Sequence, residues 1–174
     1  MIIVTGGAGF IGSAVLWKLN EQGIDGILVV DNLGESDKWK NLVNRSYLDY
    51  IHKTEFLNRL DKGDFHPVKA IIHMGACSST TERDADFLME NNFHYTLRLA
   101  EYCLQKNIRF INASSAATYG NGAAGFSDDV DRLHLLKPLN MYGYSKQLFD
   151  IWALRSKALT HLVSLKFFNV FGPN

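Results

Sequence analysis

Short apolar runs alternate with longer stretches of helical periodicity along the whole chain. The runs predict five strands, at residues 2–4, 27–30, 70–73, 110–113 and 163–168. The stretches between them predict helices over residues 10–22, 54–60, 96–105 and 142–155. Apolar strands that alternate with helices are typical of a parallel sheet covered on both faces. We therefore expect an α/β fold with a doubly wound parallel sheet in three layers.

Length, charge and cysteine content narrow the class of protein. A chain of 174 residues suffices for one domain with a sizeable core. Its 18 lysines and arginines equal its 18 aspartates and glutamates, so we expect neither a nucleic-acid nor a membrane partner. Two cysteines give no disulfide framework and no metal-ligand spacing. The apolar opening breaks at once into glycines, which excludes a signal peptide there and favours the cytoplasm.

A glycine-rich loop joins the first predicted strand to the first predicted helix. Its glycines are Gly6, Gly9 and Gly12, one residue wider in the first gap than the G-x-G-x-x-G pattern. Glycine permits a tight turn and a close approach of the backbone to a pyrophosphate, which the helix N-terminus then attracts. This context predicts a dinucleotide-binding Rossmann domain over residues 1–174. The alternative is a glycine-rich turn without a ligand.

The second predicted strand ends in Asp31, 19 residues after Gly12. A carboxylate at that position can accept a hydrogen bond from the adenosine ribose, which favours NAD. Lys38 and Lys53 favour NADP instead, because either ammonium could neutralise a 2′-phosphate. On these residues alone the choice between NAD and NADP stays open.

A tyrosine and a lysine four residues apart, Tyr142 and Lys146, fall on one face of a predicted helix. Hydride transfer at a secondary alcohol needs a base, and a nearby ammonium favours the phenolate form of tyrosine. Tyr144 is the weaker candidate, since it lies two residues from Lys146 and points to another side. Ser115, at the end of a predicted strand, could bind the reacting oxygen. We interpret Ser115, Tyr142 and Lys146 as catalytic residues of a redox site.

The glycine loop, Ser115 with Tyr119-Gly120, and the YxxxK pair together resemble the extended short-chain dehydrogenases/reductases. Four longer blocks are more specific: residues 75–82 (GACSSTTE), 113–120 (ASSAATYG), 137–146 (KPLNMYGYSK) and 168–173 (FNVFGP). They resemble the ADP-L-glycero-D-manno-heptose 6-epimerases, nucleotide-sugar epimerases of the NAD-dependent epimerase/dehydratase family. The similarity extends over all 174 residues.

This resemblance implies a cofactor, NADP, that is retained through the catalytic cycle. Besides the three glycines, the cofactor positions that it implies are Phe10, Ile11, Asp31, Asn32, Lys38, Lys53, Met74, Gly75, Ala76, Cys77, Ser78, Asn91, Lys146 and Val170. Asn169 falls at a substrate position. Met74 stands where the family often carries an acidic residue, so its contact would come from the backbone.

The resemblance also implies a reaction that supplies heptose for the lipopolysaccharide inner core. C6 of an ADP-heptose would be oxidised, the ketone would turn within the pocket, and hydride would return to the opposite face. Tyr142 would act as acid/base, Ser115 would orient the oxygen, and Lys146 would hold the ribose and tune Tyr142. A second acid/base lysine and a substrate domain would lie beyond Asn174. We therefore expect this chain alone to be inactive and the full-length protein to be a homo-oligomer.

Three alternatives compete with this interpretation. A nucleotide-sugar 4,6-dehydratase would need carboxylic groups where this chain has Ala116 and Ala117, which makes it a poor candidate. A UDP-hexose 4-epimerase is the runner-up, separated from the first choice mainly by residues 75–82. A module that binds dinucleotide without turnover is the non-enzymatic alternative. Cys103, Trp17 and Phe167 are interpreted as core residues.

Overall fold

The computed structural model, which describes residues 1–65 and 67–172, contains a six-stranded sheet with helices between its strands. The strands are β1 (Ile2–Thr5), β2 (Ile27–Asp31), β3 (Asp49–His52), β4 (Ala70–His73), β5 (Arg109–Ser115) and β6 (Leu162–Phe167). Their order in the sheet is β3-β2-β1-β4-β5-β6, and β1 pairs in parallel with both β2 and β4. The predicted Rossmann-type parallel sheet is confirmed.

Within residues 1–65 and 67–172, five α-helices and several short 3₁₀ or π-helical segments connect the strands. The helices are α1 (Phe10–Glu21), α2 (Lys53–Lys62), α3 (Ala85–Leu88), α4 (Tyr95–Lys106) and α5 (Met141–Arg155). A π-helical turn, Met89–His94, joins α3 to α4, and 3₁₀ turns include Asp37–Leu42, Ala116–Tyr119 and Val130–Leu135. The side chain of Asn140 caps α5, accepting a 2.8 Å hydrogen bond from the Gly143 amide. Among the described residues, no helix is both long and apolar enough to cross a membrane.

The chain divides into two compact units. Of the described residues, the first unit contains those within 1–75, 106–111 and 170–172, and the second contains Ala76–Gln105 and Asn112–Asn169. The first unit has a buried cluster of Val4, Ala8, Leu16, Ile27, Val29 and Leu42. A smaller cluster in the second unit joins Tyr119, Leu133 and Leu136. The interpretation of residues 1–174 as a single dinucleotide-binding domain stays a prediction.

Strand β3 is the element that the sequence pattern did not predict. It is an edge strand that pairs in parallel with β2, with Asp31 opposite His52. Only Ile51 of its four residues is buried. Such a strand lacks the apolar run that marks the central strands, so periodicity alone could not reveal it.

Of the three residues that the sequence assigned to the core, the structure buries Cys103 fully, Phe167 partly and Trp17 poorly. Cys103 is 1% exposed, which confirms its place in the core. Trp17 is wrong as a core residue: it lies on α1 with 48% of its surface exposed. Phe167 is of intermediate burial. An isolated aromatic on an amphipathic helix does not reveal which face it occupies, since exposed apolar residues are common.

The two cysteines are expected to react differently with thiol reagents. Burial raises the pKa of Cys103 to about 12, whereas Cys77 is only partly buried. Because the thiolate is the nucleophile, one thiol per chain should react rapidly with a chromogenic disulfide at about pH 8, and the other only on unfolding. The Cys77→Ser variant should lose the rapid phase. Rapid reaction of both thiols in the folded protein would contradict this assignment.

Candidate functional site

The glycine loop of the first unit is tightly folded at the end of β1. Gly6 has a φ of +68°, and a Cβ on it would lie 2.6 Å from the backbone nitrogen of Gly75. A Cβ on Gly12 would overlap the carbonyl oxygen of Gly6. The Gly6 amide donates to the Val30 carbonyl at 2.7 Å, which ties the loop to β2. Gly6 and Gly12 therefore accept no side chain in this conformation.

Helix α1 begins directly after this loop, and no side chain caps it. Gly9 is its N-cap residue, and the first intrahelical bond runs from the Ser13 amide to the Gly9 carbonyl at 2.9 Å. The amides of Phe10 and Ile11 belong to the first turn and have no intrahelical acceptor. Together with the helix dipole, such amides form a ready site for an anion.

Asp31, at the end of β2, is 7% exposed and has three hydrogen-bond donors around its carboxylate. The amide of Ala8 donates to Oδ2 at 2.9 Å, and the amide of Asn32 donates to Oδ1 at 2.7 Å. The ammonium of Lys38 lies 2.6 Å from Oδ1. Asp31 thus holds the glycine loop through the Ala8 amide. The sequence predicted both residues but not the ion pair.

Lys53 stands at the same edge of the sheet as Asp31. It is the first residue of α2, directly after His52, the strand partner of Asp31 in the β2–β3 register. The side chain of Lys38 is one-third exposed. Two lysines therefore flank the carboxyl end of β2 in the first unit, whereas Asn32 is exposed beside them.

The end of β4 lies against the glycine loop through polar contacts that the sequence did not single out. The amide of Met74 donates to the Thr5 carbonyl at 3.0 Å. The Thr5 hydroxyl oxygen accepts from the Gly75 amide at 3.4 Å and lies 2.5 Å from Nδ1 of His73. These contacts hold Met74 and Gly75 beside Gly6. In the sequence, these contacts could have been suspected from Thr5 and His73, two polar residues that end apolar strands.

In the second unit, Asn92 holds the loop that contains Ala76, Cys77 and Ser78. Its side chain accepts from the Cys77 amide and donates to the Cys77 carbonyl, both at 2.9 Å. It also donates to the hydroxyl of Ser145 on α5 at 3.2 Å. The sequence comparison pointed to Asn91, whose side chain donates to that of Asn92 at 3.0 Å. The sequence analysis did not identify Asn92, because a single buried asparagine does not change the hydrophobic periodicity of a helical segment.

Ser115 ends β5, and its hydroxyl oxygen accepts from the Ala117 amide at 3.1 Å. That bond uses a lone pair, so the hydroxyl hydrogen can be donated to a substrate oxygen. A Cβ on Gly143 would lie 2.8 Å from the carbonyl oxygen of Ala117. Glycine at this position therefore lets α5, which carries Tyr142, approach the turn that follows Ser115.

Lys146 lies inside the second unit, 3% exposed, one helical turn after Tyr142 on α5. Its ammonium donates to the Ala113 carbonyl at 2.8 Å. Burial lowers the pKa of Lys146 to about 8, and the charge of Asp150 opposes that fall. Burial therefore brings the pKa of this ammonium closer to neutral pH than that of an exposed lysine.

The predicted site residues are distributed over the two units. The first unit contains the glycine loop, Asp31, Lys38, Lys53, Met74, Gly75 and Val170. The second contains Ala76, Cys77, Ser78, Asn91, Ser115, Tyr142, Lys146 and Asn169. Ser115, Tyr142 and Lys146 thus share one unit, and Asn169 is exposed in it. Val170 is 45% exposed in the first unit.

Comparison with known proteins gives the family of the chain. Over 175 residues it is 65% identical to the ADP-L-glycero-D-manno-heptose-6-epimerase of Nitratidesulfovibrio vulgaris, covering 100% of this chain and 54% of that relative. The chain thus spans about half the length of the curated relatives it matches.

Solved structures agree with this similarity. The Helicobacter pylori ADP-L-glycero-D-manno-heptose-6-epimerase superimposes with a TM-score of 0.81 at 31% identity, covering 99% of this chain and 56% of that one. The UDP-glucose 4-epimerase of Thermus thermophilus, in complex with NAD, gives 0.78 at 28% identity, with coverages of 99% and 56%. Residues 2–174 match the NAD dependent epimerase/dehydratase family, and the chain belongs to that family.

Proposed function

We propose that this chain is the dinucleotide-binding part of an epimerase that inverts C6 of ADP-D-glycero-D-manno-heptose with the aid of NADP. The observation that carries the proposal is the 65% identity over the whole chain to a relative named as an ADP-heptose 6-epimerase. The geometry of the glycine loop and of the serine, tyrosine and lysine supports the same chemistry. The product would be the L-glycero epimer used for the lipopolysaccharide inner core.

The residues of the first unit fit a dinucleotide. A pyrophosphate needs N–H donors and a backbone without side chains in its way, and the uncapped start of α1 with Gly6 and Gly12 offers both. The amides of Phe10 and Ile11 would donate to the phosphate oxygens. Asp31 would lie on the adenosine ribose side, and the loop that begins with Met74 and Gly75 would lie under the nicotinamide half.

Two lysines beside Asp31 favour NADP over NAD. A carboxylate alone would repel a 2′-phosphate, but Lys38 already neutralises Asp31 at 2.6 Å. Lys53 adds a second positive charge at the same edge of the sheet. Ammonium groups at this position suit a phosphorylated ribose, because they can donate charge-assisted hydrogen bonds to its phosphate.

Affinity for the two dinucleotides tests the lysines. We expect NADP⁺ to bind more tightly than NAD⁺, and Lys38→Ala or Lys53→Ala each to weaken NADP⁺ binding by about tenfold, since one charge-assisted hydrogen bond is lost. NAD⁺ binding should change by less than about twofold. Isothermal titration calorimetry gives both constants. Lys40→Ala, at an exposed lysine paired with Asp37 at 2.8 Å, is the matched control. Equal dissociation constants for NADP⁺ and NAD⁺ would contradict the proposed preference for NADP.

The second unit supplies the groups that move the proton. When bound, the dinucleotide would accept a hydride from C6 and return it. Tyr142 would exchange a proton with the C6 oxygen as one of two acid/base groups, the other being the lysine expected beyond Asn174. Ser115 would donate a hydrogen bond to the same oxygen. Lys146 would hold the nicotinamide ribose and favour the phenolate form of Tyr142 through its charge. The exposed Asn169 would contact the sugar nucleotide.

A UDP-hexose 4-epimerase is the second candidate, because the chain is also similar to the Thermus thermophilus UDP-glucose 4-epimerase at 28% identity. The two candidates differ in the carbon that is inverted and in the nucleotide. The 65% identity to an ADP-heptose relative favours the first.

The proposed function is tested with the chain alone and with a chimera in which the remainder of the Nitratidesulfovibrio vulgaris relative follows it. Each is incubated with ADP-D-glycero-D-manno-heptose or with UDP-glucose, and the configuration of the product is read by NMR. We expect the chimera to invert C6 of the heptose and to leave UDP-glucose unchanged. Inversion of UDP-glucose at C4 would favour the second candidate. A chimera that binds dinucleotide but converts neither sugar would favour a binding module.

A further inference from the structure

An ion pair inside the second unit has no part in the proposed reaction. Asp150 on α5 is 3% exposed, and its Oδ2 lies 2.7 Å from the ammonium of Lys166 on β6, whose side chain is 13% exposed. Two serine hydroxyls complete the surroundings of the carboxylate. Ser114 donates to Oδ2 and Ser164 donates to Oδ1, both at 2.7 Å. The carboxylate therefore joins α5 to β5 and β6.

This carboxylate lies one helical turn after Lys146 on the same helix. Its donor Ser114 follows Ala113, whose carbonyl accepts the 2.8 Å hydrogen bond from Lys146. Asp150 and Lys146 thus attach to adjacent residues of β5 from the same helix. These two contacts together attach α5 to the strand that ends in Ser115.

Lys166 extends the network to the turn after Ser115. Its ammonium donates to the hydroxyl of Thr118 at 2.8 Å, and that hydroxyl donates to the Ser115 carbonyl at 2.8 Å. The same ammonium lies 5.4 Å from the centre of the Tyr119 ring. A chain of direct contacts therefore runs from Asp150 through Lys166 and Thr118 to the backbone of Ser115.

Stability alone does not account for such a pair. Removing two charges from water costs several kcal/mol per ion, and apolar replacements of buried pairs are often neutral or stabilising. Here the pair contacts the strand end and the turn that carry Ser115, and it shares a helix with Tyr142 and Lys146. A role in the chemistry of those residues explains its position better than a role in stability.

We propose that Asp150 and Lys166 are positioning residues that hold Lys146 and Ser115 in place, and that the Asp150 carboxylate keeps Lys146 in its ammonium form. The proposal rests on the proposed function, in which that ammonium tunes Tyr142. The two charges of the pair act on Lys146 in opposite directions. The Asp150 carboxylate favours the protonated form of Lys146, and the positive charge of Lys166 partly offsets that effect.

Other charged groups near Lys146 are few or exposed. On α5 itself the titratable neighbour is Tyr142, and the turn after Ser115 contributes Tyr119, whose hydroxyl pKa is raised first by burial and then by Asp128 and Asp150. Four further segments pack against α5: Ala85–Leu88, Met89–His94, Val130–Leu135 and Ala158–Thr160. Their titratable groups are all exposed: Asp86, Glu90, His94, Asp131, Arg132 and His134. Water screens these groups, whereas Asp150 is buried and its charge opposes the fall that burial causes in the pKa of Lys146.

The test is an NMR titration of Lys146 in the chain without dinucleotide or sugar. The ¹³Cε shift of lysine follows its protonation, and Lys146→Met assigns the signal. The wild-type midpoint is expected near the pKa of about 8. Asp150→Asn should move it to lower pH by about one unit, because the favourable charge is lost. Lys166→Met should move it to higher pH, because the carboxylate then acts on Lys146 alone.

Shifts of opposite sign separate a charge effect from general loosening of the fold. Ser164→Ala is the control: it removes a hydrogen bond to the same carboxylate without changing any charge, and the midpoint should stay in place. If Asp150→Asn does not fold, the test depends on whether the Lys146 midpoint moves to higher pH in Lys166→Met. Unchanged midpoints in folded variants, or unfolding of both, would overturn the proposal. Because no substrate is present, failure of the proposed epimerisation would leave this result intact.

Discussion

Gly6→Ala is expected to abolish dinucleotide binding. The φ of +68° is unfavourable for alanine, and its Cβ would lie 2.6 Å from the Gly75 backbone nitrogen. The loop must then move away from the end of β4, and the amides of Phe10 and Ile11 lose their alignment. Loss of two charge-assisted hydrogen bonds, at about 1.5–3 kcal/mol each, lowers affinity by at least about 100-fold. Calorimetry with NADP⁺ and NAD⁺ measures the loss.

A matched glycine provides the control for this result. Gly26 lies directly before β2, and a Cβ on it would meet nothing within 4 Å. Gly26→Ala should therefore bind both dinucleotides like the wild type and unfold at a similar temperature. If Gly6→Ala retained affinity within about threefold of the wild type, the loop would not be the pyrophosphate site.

Tyr142→Phe is expected to remove turnover while leaving dinucleotide binding unchanged. The substitution deletes only the hydroxyl that would exchange a proton with the C6 oxygen. General acid–base catalysis contributes about 10²- to 10⁴-fold, so kcat for the heptose in the chimera should fall by about three orders of magnitude. The dissociation constant for NADP⁺ should not change, because the ring and the position of Lys146 are preserved.

Tyr144→Phe is the matched control for the loss of one tyrosine hydroxyl. Tyr144 lies two residues further along α5 and is 47% exposed, so it points away from the buried Lys146. Its variant should turn over at nearly the wild-type rate. Near-normal activity in Tyr142→Phe, or equal losses in the two variants, would remove Tyr142 from the mechanism.

Local patterns were sufficient for the central part of the fold. The strands around Val4, Val29 and Ile71 are apolar runs, because central parallel strands are buried on both faces. The glycine loop was also predictable, since the positive φ of Gly6 is a local property and the steric limit at Gly12 comes from Gly6, six residues earlier. These features depend on neighbours in sequence, and a sequence shows such neighbours directly.

Features that depend on contacts between different parts of the fold could not be predicted from the sequence. Edge strand β3 carries one buried residue, so its pairing with β2 leaves no apolar run. Asn92 binds a loop residue 15 positions away in the sequence, and Lys166 on β6 pairs with Asp150 on α5. The ion pair of Lys38 with Asp31 is likewise a tertiary contact. Single residues of these types are common on protein surfaces, so only the folded chain reveals their partners.

The most direct test of the account follows the hydrogen on C6. The central claim is that C6 is inverted by removing and returning a hydride, with Tyr142 moving only the hydroxyl proton. The chimera is supplied with ADP-D-glycero-D-manno-heptose deuterated at C6, and the product is examined by NMR and mass spectrometry. The account predicts an inverted C6 that retains its deuterium in ordinary water. Replacement of that deuterium by solvent hydrogen would contradict it, because a proton would then have been exchanged at C6 instead of a hydride.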